Sequence, residues 1–330
     1  MEFGHYLRRC RKKYGLTQDQ LIEALYTQDP ELFGGLDASG LSKWERGVSH
    51  TSFRRMGAVL HHFQTLSGDP LPCIEESTPE TLEKDLCGDA MHRLLGTPPK
   101  HLIVDLGMDR LEIEHFSITP LRHFERMEEL LEIHQNLHEN LVPSYSRLEL
   151  RQLREWAYHP ESLFHIVLYK RTFLGLLFSI RLRPGPFEEI MEFRRMRREL
   201  TTEDFAREGE PASILILSLF TLDSRVASLL LMRLHAHMAA HRRRIESVGL
   251  TTALQEVERL VERMELRVHC SRTIEGRRHI AYRNDLFNLL SNETAMRLLF
   301  PKEECPESSP FLSDRSSDRE AEPSGDTRRG

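Results

Sequence analysis

The chain has 330 residues, with 45 Lys plus Arg against 51 Asp plus Glu, a formal net charge of −6, and 39% apolar and 29% charged side chains. That length favours two globular units with connecting segments, and the acidic balance excludes a protein that coats nucleic acid through a broadly basic surface. The five cysteines, Cys10, Cys73, Cys87, Cys270 and Cys305, are scattered and never spaced C-x-x-C. This excludes a disulfide framework or a cysteine zinc site and fits free thiols in a reducing compartment. No stretch approaches the ~18 uninterrupted apolar residues of a membrane span, and basic residues from Arg8 onward interrupt any apolar leader. The expectation is a cytoplasmic protein with no membrane partner.

The N-terminal sixty-odd residues carry helix signals in close order. An amphipathic basic helix from Phe3 stops at Gly15, a residue suited to the left-handed conformation at a helix end. Thr17 then caps the next helix, with Gln20 at the capping-box position. Leu41 and Trp44 face inward from a short helix over 37–45 that ends at Gly47. Phe53, Met56, Val59, Leu60 and Phe63 predict a further helix that closes the core. The combination F-G-x-x-L-R-x-x-R, G-L-T-Q-x-x-L and L-S-x-W-E-R-G, spanning Phe3 to about Phe63, resembles the lambda-repressor/Cro-like (XRE) helix-turn-helix family. The resemblance implies that the helix from Thr17 crosses the phosphate backbone of double-stranded DNA and that the helix over 37–45 enters the major groove. It implies backbone contact and support of recognition for Gln18, base reading for Ala38, Ser39 and Lys43, and phosphate contacts for Ser42 and Arg46. It also implies an internal ion pair between Arg11 and Glu45. Residues 27–35 lengthen the family's short inter-helix turn, as a longer loop or a small extra helix. Over residues 1–66 nine cations face seven carboxylates, and Arg54 and Arg55 open the last helix as further phosphate contacts.

Prolines and acidic residues mark 69–100 as a linker with a short helix at about 79–95. Beyond it the pattern predicts a strand at 112–119, helices at 125–137 and 146–156, and strands at 163–169 and 173–180 joined at Lys170-Arg171. The charged stretch 188–208 reads as an irregular insertion, helical around 191–200. A central strand follows at 213–222, then a helix at 224–241, a strand at 245–250, a helix at 253–264, and strands at 267–274 and 278–282 joined at Glu275-Gly276. From 301 to 330 apolar residues almost vanish, which predicts a disordered tail.

The order of elements resembles the GNAT acetyltransferase superfamily over roughly 112–283, an α/β fold with a mixed, mostly antiparallel sheet, and the GNAT-like domain is placed at 101–300. The chain is thus read as multidomain: an all-α helix-turn-helix bundle at 1–68 followed by that domain. In GNAT enzymes a (Gln/Arg)-x-x-Gly-x-(Gly/Ala) turn cradles the cofactor pyrophosphate. Arg225 fits its first position and Ser228 its fourth, making these two the candidate acetyl-CoA contacts, while Leu230 fills the last small position and Val261 stands about where the family carries its general-acid tyrosine. No catalytic residue is therefore assigned, and no cofactor is expected. His237 and His241, with His235 nearby, have metal-ligand spacing but no third ligand in the sequence; they read as a polar helix end, and no metal site is expected. The resulting expectation is a sequence-specific DNA-binding transcriptional regulator. A homodimer on DNA is expected, the GNAT-like domain sensing a small-molecule effector, pairing two copies or both, with the apolar residues from Phe164 to Leu234 and at 286–290 as the candidate contact. The alternative is an acyl-CoA-dependent N-acetyltransferase with a fused DNA-binding domain.

Overall fold

Local stop and start signals shape the first helices. α1 (Phe3–Lys13) ends where Gly15 adopts φ +67°, and α2 (Gln18–Gln28) begins under a complete capping box between Thr17 and Gln20. In this computed structural model the described residues are 2–74, 78–96, 116–141, 148–222, 224–254, 257, 261–262 and 264–301. The inserted segment forms a small extra helix, α3 (Pro30–Phe33): Asp29 caps it by accepting from the Leu32 amide at 2.9 Å, and Phe33 is buried beneath it. α4 (Ala38–Glu45) is capped by Asp37, and α5 (Phe53–Ser67) runs from a Ser52 cap to Gly68 at φ +70°. Leu7, Leu21, Leu25, Leu41, Val59 and Phe63 are fully buried between these helices.

The helix expected in the linker is present as α6 (Pro79–Gly96), and it packs along a later helix, α10 (Ser224–Ala240). Next come β1 (Phe116–Pro120), α7 (Met127–Leu141) and α8 (Leu150–Tyr158). The strand expected at 112–119 is described only from Phe116. The hairpin of β2 (Ser162–Tyr169) and β3 (Thr172–Leu182) turns at Lys170-Arg171, with φ of 47° and 70°, the mirror-type turn that matches strand twist. The insertion differs from expectation. Its helix lies earlier, as α9 (Pro184–Met191), with proline in the first turn where no amide bond is lost, and with Phe187, Ile190 and Met191 buried. After Phe193, at φ +53°, the charged run forms only two short turns, tied by Arg195 gripping Asp204 at 2.7 and 2.9 Å.

β4 (Ala212–Thr221), α10 and β5 (Ile245–Thr252) form a parallel crossover, and β6 (Arg267–Ile274) and β7 (Arg277–Asp285) a hairpin through Glu275 and Gly276. Half of the helix expected at 253–264 lies outside the described residues, as does the whole tail from 302. One mixed sheet results, in the order β1-β2-β3-β4-β5-β7-β6, with β4–β5 its parallel pair. Alternation sends Ile166, Phe178, Ile180 and Leu215 to one face, beneath Trp156 of α8 and Phe187 of α9. Val167, Leu177, Ile214 and Val248 go to the other, beneath Leu230, Leu234 and Met238 of α10.

The chain ends its described part with α11 (Leu286–Ser291) and α12 (Glu293–Leu299), which pack on α5. Phe300 places its ring between Phe3 and Tyr6, with centroids 5.3 and 5.0 Å away, and the Arg297 guanidinium lies 4.4 Å from the Phe53 ring centre. The N-terminal core thereby continues through α11 and α12 to α10. This corrects the expected pairing surface: Leu286, Leu289 and Leu290 are buried within one chain and so offer no free apolar face. Most of the apolar side chains from Phe164 to Leu234 are likewise spent in the two core layers. Among the described residues no helix is long and apolar enough to cross a membrane.

Candidate functional site

On α4 the burial of Leu41 and Trp44 decides what the opposite side presents. Ala38, Ser39, Lys43 and Arg46 are exposed and Ser42 half-buried, so that 39, 42, 43 and 46 share one outward face. Arg46 folds its Nε back to the Ser42 carbonyl at 3.2 Å. The opposite side is locked by an ion pair, with Arg11 donating to both Glu45 oxygens at 2.6 and 3.0 Å. Gln18 Nε2 donates to the same carboxylate at 3.0 Å, which spends its side chain on joining α2 to α4. Burial pushes the Glu45 carboxyl up, but the hydrogen bonds from Arg11 and Gln18 outweigh it and hold Glu45 below the usual carboxylate range.

The two arginines opening α5 part company. Arg54 is exposed, whereas Arg55 Nε donates to the Leu32 carbonyl at 2.9 Å and its guanidinium lies 5.9 Å from the Trp44 ring centre. Arg55 Nε therefore closes the end of α3 against α4, a contact created by the extra helix.

A second polar group lies in the sheet. β4 pairs with β5 only from Ala212 to Ile216, although it continues beside β3 to Thr221, so the parallel strands part from Leu217 onward. At the parting, His134 of α7 places Nε2 2.7 Å from Ser218 Oγ, and Arg197 Nη1 donates to the Leu217 carbonyl at 3.3 Å. Arg197, His279 and Thr251 line a void of about 10 Å³ there, room for one water. Burial, with Arg197 nearby, pulls His134 down to about 4, and burial pulls Arg197 down to about 10. The parting thus holds a neutral imidazole and a fixed cation near neutral pH. Sequence reading missed this group because His134, Arg197 and Ser218 lie on separate elements with no shared spacing.

The expected cofactor residues sit differently. Arg225 is 9% exposed and Ser228 half-buried, both inside α10, and Leu230 is fully buried in the core. Only the first turn of a helix leaves its amides free, so the N–H groups of 228 and 230 fall in the intrahelical ladder. Ser228 consequently cannot present the cradle amide expected of it. Val261 is buried beside the same core. A wider groove of about 610 Å³ lies elsewhere, between α8 and the turn at 197–199, lined by Arg151, Gln152, Glu155, Trp156 and Arg198 among others.

The class defined by these elements is a helical N-terminal unit packed on a mixed seven-stranded α/β sheet with a parted parallel pair. No protein-family model and no curated protein matches the chain. Among solved structures it is similar to Naa50 from Arabidopsis thaliana in complex with a CoA-Ac-MVNAL bisubstrate analogue, at 11% identity and a TM-score of 0.35, over 52% of this chain and 98% of that one. It is also similar to RimJ from Mycobacterium smegmatis in complex with CoA-disulfide, at 13% identity and a TM-score of 0.36, over 56% of this chain and 88% of that one. A third likeness is to FeeM, an N-acyl amino acid synthase from uncultured soil microbes, at 8% identity and a TM-score of 0.37, over 53% of this chain and 92% of that one. At these scores the likenesses decide neither activity nor site.

Proposed function

We propose that the protein is a sequence-specific DNA-binding regulator of the XRE type, its outward α4 face reading double-stranded DNA and its GNAT-like sheet serving as a sensing domain. The observation that carries this reading is the α4 face itself. Ser39, Ser42, Lys43 and Arg46 project together from a helix whose other side is fixed by Trp44 and the Arg11–Glu45 pair. Lysine there suits guanine edges, and the serine hydroxyls suit either bases or phosphate. Helix α4 has eight residues and can read only a few base pairs, so two copies on an inverted repeat would supply the remaining selectivity. The groove beside α8 has the volume of a small-molecule site and is the candidate for an effector. The test is selection of duplex from a randomised pool by the full-length chain, with an α4 variant as control.

A second reading, acyl-CoA binding with or without transfer, is favoured by the parting of β4 from β5. Acetyl-CoA titrated into the full-length chain separates the possibilities. Turnover lost in Arg225→Ala supports an enzyme, a raised melting temperature without turnover supports a sensor, and no response removes acyl-CoA from the account.

A further inference from the structure

Helices α6 and α10 bring together three metal-ligating side chains from positions more than 150 residues apart. His237 Nδ1 lies 3.4 Å and His241 Nε2 3.7 Å from the same oxygen of Glu83, Oε2. One donor atom from each of the three residues lies within 4.8 Å of those of the other two. Both separations are longer than an ordinary hydrogen bond to oxygen, which is about 2.7–3.2 Å. They match the spacing that a tetrahedral ion enforces, because donors at about 2.0–2.2 Å from zinc stand roughly 3.4 Å apart. The other carboxylate oxygen, Oε1, is held by Arg233 Nη2 at 2.9 Å, which fixes the rotamer and turns Oε2 to the imidazoles. Arg233 Nη1 also donates to Cys87 Sγ at 3.4 Å, one turn further along α6.

Burial points the same way. His237 is 7% exposed, and its Nδ1 faces Glu83 Oε2 at 3.4 Å, the far end of hydrogen-bond range. A buried imidazole held 3.4 Å from a carboxylate oxygen has the separation of two ligands of one ion. His241, at the end of α10, has a side chain 19% exposed and gives an ion a path from solvent. The His-x-x-x-His pair on one helix supplies two donors, and the third, absent from its own stretch of sequence, comes from the helix laid across it.

We infer that Glu83, His237 and His241 bind a zinc-class divalent transition-metal ion, with water completing the coordination. Two imidazoles and a carboxylate suit zinc and its neighbours better than magnesium or calcium, which prefer all-oxygen sets. The ion clamps α6 to α10 and so fastens the segment that follows the N-terminal helices to the sheet.

The experiment uses the full-length chain, stripped with chelator and titrated with Zn2+ and with Co2+. The expected result is one equivalent per chain, a visible Co2+ absorption of tetrahedral strength, and a higher melting temperature with Zn2+. His241→Gln, at a partly exposed helix end, is expected to weaken binding at least tenfold with the fold retained by circular dichroism. His269→Gln, in an exposed grouping with Glu188 and Glu192, is expected to leave binding unchanged. X-ray absorption of the wild-type zinc form needs no variant and is expected to show imidazole and carboxylate ligation. Absence of stoichiometric binding, binding equally strong in folded His241→Gln, or sulfur or all-oxygen ligation would overturn the assignment.

Discussion

A Cβ placed on Gly57 of α5 would stand 2.0 Å from the carbonyl oxygen of Ser291, at the end of α11. Two backbones meet there with no side chain between them, and Gln64 strengthens the contact by donating to the Phe287 carbonyl at 3.1 Å. Gly57→Val is therefore expected to cost roughly 1–3 kcal/mol of stability, as overpacking does. Gly88→Ala, on α6 where a Cβ meets nothing within 4 Å, is expected to be neutral or to gain up to about 1 kcal/mol. Urea denaturation of the two variants checks both signs. Equal effects would mean that α5 does not rest on α11.

Stability should fall on acidification in a histidine window and then a carboxylate window. His134 is held down to about 4, so between its unfolded value near ~6.5 and ~4 the unfolded chain binds the extra proton and stability rises with pH. The loss on going down through that window is about 3 kcal/mol for a shift of this size. His134→Gln should lessen the slope of the wild-type curve there, other buried histidines that are pulled down in the same way supplying the rest. Glu45, held below its ordinary range, contributes stability that is full above the unfolded carboxyl value and is lost as pH falls through its own lower value. Glu45→Gln should therefore change the curve chiefly below about pH 4.3. Unfolding free energies measured from pH 8 to 3 check the two windows, and overlapping effects would contradict the separation.

Adjacent arginines on α5 should behave oppositely. Arg55→Ala removes the bond to the Leu32 carbonyl and the contact with Trp44, and should lower stability by about 0.5–1.5 kcal/mol. Arg54→Ala should leave stability unchanged, weaken duplex binding on all sequences, and reduce the salt slope by about one counterion. Denaturation and fluorescence anisotropy on one pair of proteins decide between this split and two equivalent phosphate contacts.

How much of this was legible depends on the range over which each interaction acts. Gly15, Thr17 with Gln20, Gly47, Lys170-Arg171 and Gly276 act within a few residues, and the turns and caps expected at them are present. The helix expected around 191–200 lies earlier, at α9, because Pro184 suits the first turn of a helix and Phe187, Ile190 and Met191 have a core to enter. The bond from Arg55 to the Leu32 carbonyl is not legible in the sequence, because that carbonyl is placed only once the extra helix forms. The apolar residues of α11 looked available for a second copy because nothing local shows that α5 covers them. Glu83 was invisible as a partner of His237 and His241 for the same reason, since periodicity reports one helix face and not what is laid across it.

The central claim is that the α4 face reads duplex DNA, and selection from a randomised duplex pool followed by anisotropy tests it most directly. The full-length chain is expected to enrich an inverted repeat and to bind it with an affinity that falls steeply between about 50 and 200 mM salt, as phosphate neutralisation requires. Lys43→Ala is expected to relax preference at one base position of each half-site, at a cost of about 1–3 kcal/mol. A pool without enrichment, or a Lys43→Ala protein that selects the same sequence with unchanged affinity, would contradict the account.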